Sequence, residues 1–257
     1  YAFAGCSSLQ NIELPEYMYE IEERAFESSG LVKFVFPDSL RWLSSATHIN
    51  CSNLKEVKLP KRRTDLSLSL TKTFMGCSSL ESITIPPSFS KIETAFDSCV
   101  NLKRIYIEEG GGRELSIDYG LYVCALDSIH IGRNIYYYDY SKRPMIENQS
   151  AIKYCFIGGN INTNGAPLFS DCNVGKVVIS NSVDTIQAAA FFNTSPDTLI
   201  CQNIHPTSMA VDALVNSFVL VPSGSGTLYR EHVAWKKNLI VDPQDTISFV
   251  KVKYPGT

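Results

Sequence analysis

Residues 2–9 read Ala-Phe-Ala-Gly-Cys-Ser-Ser-Leu, and residues 73–80 read Thr-Phe-Met-Gly-Cys-Ser-Ser-Leu. Each block is followed by a strand-like phrase that ends in proline: Gln-Asn-Ile-Glu-Leu-Pro at 10–15 and Glu-Ser-Ile-Thr-Ile-Pro at 81–86. A turn of about 23 residues cannot bury its apolar positions alone. Stacked on copies of itself, it forms one continuous core. Such a stack presents a long surface rather than an enclosed pocket, so the recurrence points to binding.

The repeated pattern is Ala-Phe-x-x-Cys-x-x-Leu-x-x-Ile-x-Ile-Pro. Its Phe position falls at Phe3, Phe26, His48, Phe74, Phe96, Tyr122, Met145, Phe169, Phe191 and Leu214, with steps of 22 to 26 residues. Tyr122, Met145, Phe191 and Leu214 are placed by spacing and by the strand that follows. Apolar pairs two residues apart follow each corner, from Ile12/Leu14 and Phe34/Phe36 through Ile105/Ile107 to Val219/Val221. Alternation of period two predicts short half-buried strands lined up in one parallel sheet. Proline at 15, 37, 60, 86 and 222 ends the strand. A second apolar group, such as Leu40/Leu43 or Phe89/Ile92, precedes the next corner. The expectation is a β-rich solenoid of about ten turns. Lys61-Arg62-Arg63-Thr64 and the stretch 108–114 lengthen two turns as loops.

Composition removes several functional classes. The chain has 257 residues, 44% of them hydrophobic, and a net charge of −3. That balance argues against general nucleic-acid binding, which normally needs a basic surface. No run of 18 apolar residues predicts a membrane span, and no signal peptide is visible. The chain opens inside a repeat, which is consistent with an upstream segment. The eight cysteines contain no Cys-x-x-Cys. Cys6, Cys51, Cys77 and Cys99 recur three residues after a corner, which predicts a column of small buried side chains. Bridges between adjacent turns are the alternative. The four histidines form no metal-spaced pair, and no nucleophile–base set is visible. No cofactor is expected, and an enzyme ranks last.

The repeat phrase resembles that of the BspA-like, or treponemal-type, leucine-rich repeat family, closely at 2–21 and 73–92 and over about 1–242 in all. The resemblance implies a right-handed solenoid on secreted or surface-anchored proteins of host-associated bacteria and some protists, with adhesion and binding of host proteins as proposed roles. It offers no catalytic residues. Phe218-Val219-Leu220-Val221-Pro222, then Tyr229 and Trp235, resembles the family's terminal cap, with a short helix carrying both rings and Leu228 in place of the usual alanine. The expected organisation is a solenoid over 1–242, capped from about 215, followed by a strand or linker at 243–257. Within that tail, 246–254 reads as one more strand.

Specificity then falls to the outward positions that the repeat leaves free. Along the strands these run Asn11/Glu13, Lys33/Val35, Glu56/Lys58, Ser82/Thr84, Arg104/Tyr106, Ser128/His130, Tyr154/Phe156, Lys176/Val178, Thr198/Ile200 and Phe218/Leu220. The series turns aromatic at Tyr106 and apolar at its second position from Phe156 onward. Tyr106, His130, Tyr154, Phe156, Val178 and Ile200 are therefore candidate contacts, because exposed apolar patches mark interaction sites. The alternative is coverage by the cap helix or the 246–254 strand. Tyr136, Tyr137, Tyr138 and Tyr140 form a second candidate group, suited to protein or sugar contact, unless alternate ones point inward. The leading function is binding of an extracellular or host protein. A glycan-binding surface, led by Tyr106, Tyr154 and the 136–140 tyrosines, and a structural spacer are the alternatives.

Overall fold

The computed structural model describes residues 1–61, 67–110, 114–119, 121, 124–147, 152–187, 190–209, 214 and 217–245. The strand expected at 246–254 and the corner expected at Tyr122 lie outside these residues.

The chain is a parallel β-solenoid. One side is an eight-stranded sheet running, rung by rung, through Ser82–Ile85, Arg104–Ile107, Ser128–Ile131, Ile152–Ile157, Val174–Ile179, Thr198–Cys201, Phe218–Leu220 and Leu239–Val241. The parallel pair Lys33–Val35 and Glu56–Lys58 precedes it. A second side carries Leu68–Thr71, Phe89–Glu93, Leu115–Asp118, Ile135–Tyr138 and Ile161–Asn162. A short corner sheet joins Ile146–Glu147, Phe169–Ser170 and Phe191–Phe192. The strands alternate as the sequence demands. Ser82–Ile85 and Arg104–Ile107 both bury their second and fourth residues. Ile83, Ile105, Ile129, Cys155, Val177, Leu199 and Val219 make one buried row, and Leu70, Ile92, Ile117 and Tyr137 make another on the second side. Each such aliphatic side chain contributes about 1.5–3 kcal/mol by leaving water.

The corner repeats its hydrogen bonds as faithfully as its residues. The amide of the residue three after the corner donates to the corner carbonyl, as in Cys6 to Phe3, Cys77 to Phe74 and Cys99 to Phe96. The thiol at that position donates one turn back: Cys51 Sγ to Phe26 O (3.0 Å), Cys77 to His48 O (3.2 Å) and Cys99 to Phe74 O (3.1 Å). All eight cysteines are unbridged. Burial raises the Cys99 thiol to about 12, so it stays a neutral donor.

This pattern corrects the register in two turns. Cys124 donates its amide to Leu121 O, and Cys172 Sγ reaches Ile146 O. Ile146 also pairs with Phe169. The corner residues are therefore Leu121 and Ile146, one place before Tyr122 and one after Met145. Met145 is nonetheless fully buried beside Ile146.

Two left-handed residues flank the corner and bend the chain. Positive φ occurs two before and two after it, at Arg24 and Ser28 around Phe26, Ala46 and Asn50 around His48, and Thr94 and Ser98 around Phe96. Gly5 and Gly76 take the later position in their turns. A side chain there costs free energy that glycine avoids. Ser98, exposed at φ 63°, is thus expected to gain up to about 1 kcal/mol of stability on Ser98→Gly, measured by chemical denaturation. At Gly30 no other residue fits, because a Cβ would lie 1.9 Å from the Ser7 carbonyl oxygen.

The last turns close the stack. The helix Gly226–Glu231 carries buried Tyr229, whose hydroxyl donates to Asn203 O at 2.8 Å. Trp235 lies beyond the helix, not on it as expected, and its Nε1–H donates to Thr207 O at 2.9 Å. Asp242 accepts from the amides of Gly224, Gly226 and Gln244 at 3.1, 2.7 and 2.9 Å and so ties the helix to the end of strand Leu239–Val241. Burial opposes the charge on Asp242, but those bonds and Arg230 outweigh it and hold its pKa below the ordinary value.

Candidate interaction surface

Parallel pairing without slippage stacks the outward positions of the eight-stranded sheet into two columns. The first runs Ser82, Arg104, Ser128, Tyr154, Lys176 and Thr198. The second runs Thr84, Tyr106, His130, Phe156, Val178 and Ile200, and continues to Leu220 and Val241. In the second column three rings stack face to face. Tyr106 and His130 lie 4.1 Å apart at 14°, and His130 and Phe156 lie 4.4 Å apart at 7°. Each such contact is worth about 0.5–1.5 kcal/mol beyond burial. Burial favours the neutral form of His130 and lowers its pKa, against the opposing pull of Glu109. Its Nε2 has no partner among the described residues.

Exposure separates the candidates. Tyr106 is 45% exposed and Tyr154 37%, while Phe156, Ile200 and His130 are half-buried. Val178 is only 6% exposed, between Phe156 and Ile200 in its column, and offers little to a partner. The helix bonds Asn203 through Tyr229, and Trp235 beyond it bonds Thr207; neither partner belongs to this column.

The tyrosine group belongs to a different wall. Tyr136 and Tyr138 point outward from the five-stranded sheet, in register with Ser116 and Asp118. Tyr138 meets Tyr140 edge-on at 4.8 Å, and Tyr119 joins at 6.3 Å from Tyr140. Tyr140 is the most exposed of them at 74%. Tyr137 points inward and is fully buried, donating to the Arg143 and Pro144 carbonyls, so it is withdrawn from the surface. Tyr106 and Tyr154 therefore cannot share one site with Tyr136, Tyr138 and Tyr140.

Several surface features escaped the sequence reading. Tyr119 carries no repeat signal and is found only through the corner register. Tyr17, Tyr19 and Trp42 are strongly exposed near the first turns, with Tyr19 and Trp42 edge-on at 6.1 Å. Their signal was available, since aromatic residues at non-repeat positions have no core role. A recess of about 450 Å³ lined by Tyr1, Phe3, Tyr17, Met18 and Phe26 lies beside them. Among the described residues, no group of three or more His, Cys, Asp or Glu side chains is placed to hold a metal ion. No helix among them is long and apolar enough to cross a membrane.

Comparison with known proteins adds an independent line. The sequence profile of the BspA type leucine rich repeat region matches residues 1–92 and 70–196, in six copies. A search of curated proteins returned no significant match. Among solved structures, a leucine-rich repeat protein from Bacteroides ovatus ATCC 8483 superposes with a TM-score of 0.54 at 17% identity, over 93% of this chain. The chain spans 64% of that protein's length. At this identity the likeness speaks to the fold alone.

Proposed function

The chain belongs to the BspA-type leucine-rich repeat family, and from that premise we propose that it binds an extracellular protein through the second outward column of its eight-stranded sheet. A repeat solenoid of this kind is suited to protein interaction, and the fold is typically non-catalytic. One observation carries the choice of surface: the stacked rings of Tyr106, His130 and Phe156, continued by Ile200 and Leu220 along a single register line. An apolar line of this length left partly in water is what a protein partner covers.

Adhesion to a host component at a bacterial surface is the biological form of this reading. The family is commonly associated with such surfaces, which supports that location. Protease shaving of intact cells checks it, and a chain that survives shaving is not displayed.

Binding is tested by passing purified extracellular-matrix proteins over the immobilised chain, with a glycan array run in parallel. At least one matrix protein is expected to bind, and the double variant Tyr106→Ser/Phe156→Ser to weaken it about tenfold or more, as loss of a central aromatic anchor does. Binding that the double variant leaves intact refutes the reading. A protein silent towards every matrix protein but bound by a glycan supports the carbohydrate alternative instead. In that case the tyrosines of the other sheet are the better site, since Tyr140 is freely exposed.

A further inference from the structure

The first outward column differs from the second in charge. In the four rungs around the ring stack, residues 103–107, 127–131, 152–157 and 174–179, the charged side chains are Lys103, Arg104, Lys153 and Lys176 against Asp127, with Glu109 just past the first strand on the side of His130. All four cations are exposed, and none has an ion-pair partner among the described residues. Nearer the N-terminus the same column is neutralised within itself, by the Lys33–Glu56 pair at 2.7 Å. The chain as a whole is acidic by three charges, so this cationic strip runs against its balance.

Resting on the reading above, we infer that the partner presents an extended, acidic protein segment: two carboxylates four residues apart with an aromatic or large apolar side chain between them. The register sets the spacing. Arg104 and Lys176 stand three rungs apart in one column, with Ser128 and Tyr154 between them. At about 4.8 Å per rung that separation is roughly 14 Å. An extended chain rises about 3.3–3.4 Å per residue, so side chains at i and i+4 lie on one face about 13–14 Å apart. The carboxylates then meet Arg104 and Lys176. The residue at i+2 falls midway between Ser128 and Tyr154 and leans onto the Tyr106–His130–Phe156 stack, one column away.

The ring geometry favours a protein segment over an acidic glycan. Sugars pack their C–H groups on open ring faces. Here His130 has both faces covered, and Tyr106 and Phe156 have one each, so the stack presents chiefly ring edges to a partner. Ring edges carry positive charge density and suit the face of an incoming aromatic ring.

The test is a random-peptide display selection on the intact chain, with Tyr106→Ser/Phe156→Ser as the counter-selected target. The expected result is a set of peptides that fail on the double variant and share two acidic residues spaced four apart around an aromatic or large apolar one. Their affinity is expected to drop about tenfold for Arg104→Glu and again for Lys176→Glu, and to fall with added salt. Peptides that depend on the stack but are neutral or basic overturn this inference and leave the protein-binding reading standing. Peptides that bind the double variant equally, or no enrichment at all, overturn both. Dependence on the stack without any effect of either charge reversal also overturns the inference.

Discussion

Trp235→Ala is expected to cost about 3–5 kcal/mol, the range for emptying a large buried aromatic site, and to unravel the C-terminal rungs first. The indole is fully buried, meets Tyr229 edge-on at 5.2 Å, and gives its N–H to the Thr207 carbonyl. Its loss leaves a cavity and a stranded acceptor between the helix segment and the turn that holds Thr207. In a solenoid each rung is held by its neighbours, so damage spreads from the end inward. Hydrogen exchange should show lost protection in Phe218–Leu220 and Leu239–Val241, while Ser82–Ile85 and Arg104–Ile107 keep theirs. Trp235→Phe keeps most of the ring and should cost only about 1 kcal/mol for the missing hydrogen bond, plus a smaller cavity. Uniform loss of protection along the whole chain would contradict this account of the end.

The second large effect is a dependence on acid that one side chain creates. His48 takes the place of phenylalanine in the corner column, stacked on Phe26 at 5.0 Å and edge-on to Phe34 at 4.2 Å. It is fully buried, with Nδ1 2.9 Å from Thr47 Oγ1 and Nε2 without a partner among the described residues. Burial lowers its pKa to about 3. In the unfolded chain an ordinary histidine takes up its proton near pH 6.5. Between these values the unfolded state binds a proton that the folded state refuses, so stability falls as pH falls. The loss is about 1.4 kcal/mol per pH unit, or about 2 kcal/mol at pH 5, and it levels off near the folded pKa. His48→Phe removes this term and the unpaired nitrogen, so the variant should be more stable by about 1 kcal/mol at pH 7, with the gap widening as the solution is acidified. Denaturation midpoints across pH 4–8 decide it. Parallel curves for the two proteins would show that His48 is solvated or paired.

The sequence makes the stack legible because each repeated residue serves backbone geometry as well as the core. The residue three after the corner caps one carbonyl with its amide and, as cysteine, the preceding turn's carbonyl with its thiol. Few other small side chains do both. Where the phrase decays, spacing alone misplaces the corner by one residue, at Tyr122 and Met145. The missing clue was physical: Cys124 stands three after Leu121, and Tyr119 takes the left-handed position two before it. The columns of the eight-stranded sheet follow directly from period-two alternation. Exposure within them does not: Val178 sits between Phe156 and Ile200 in the same outward column and is nonetheless buried. The tyrosine tract shows the same limit. Alternation sends Tyr137 inward and Tyr136 and Tyr138 outward. Only the sheet to which the strand belongs tells that they look away from Tyr106 and Tyr154.

The two aromatic walls give the central claim its most direct test. Binding of the same matrix protein is measured for two matched double variants, Tyr106→Ser/Phe156→Ser on the eight-stranded sheet and Tyr138→Ser/Tyr140→Ser on the five-stranded one. Both pairs remove outward rings and leave the buried rows untouched. The account predicts that the first pair weakens binding about tenfold or more and the second leaves it unchanged. Loss of binding in the second pair with retention in the first would place the interaction surface on the wrong wall and contradict it.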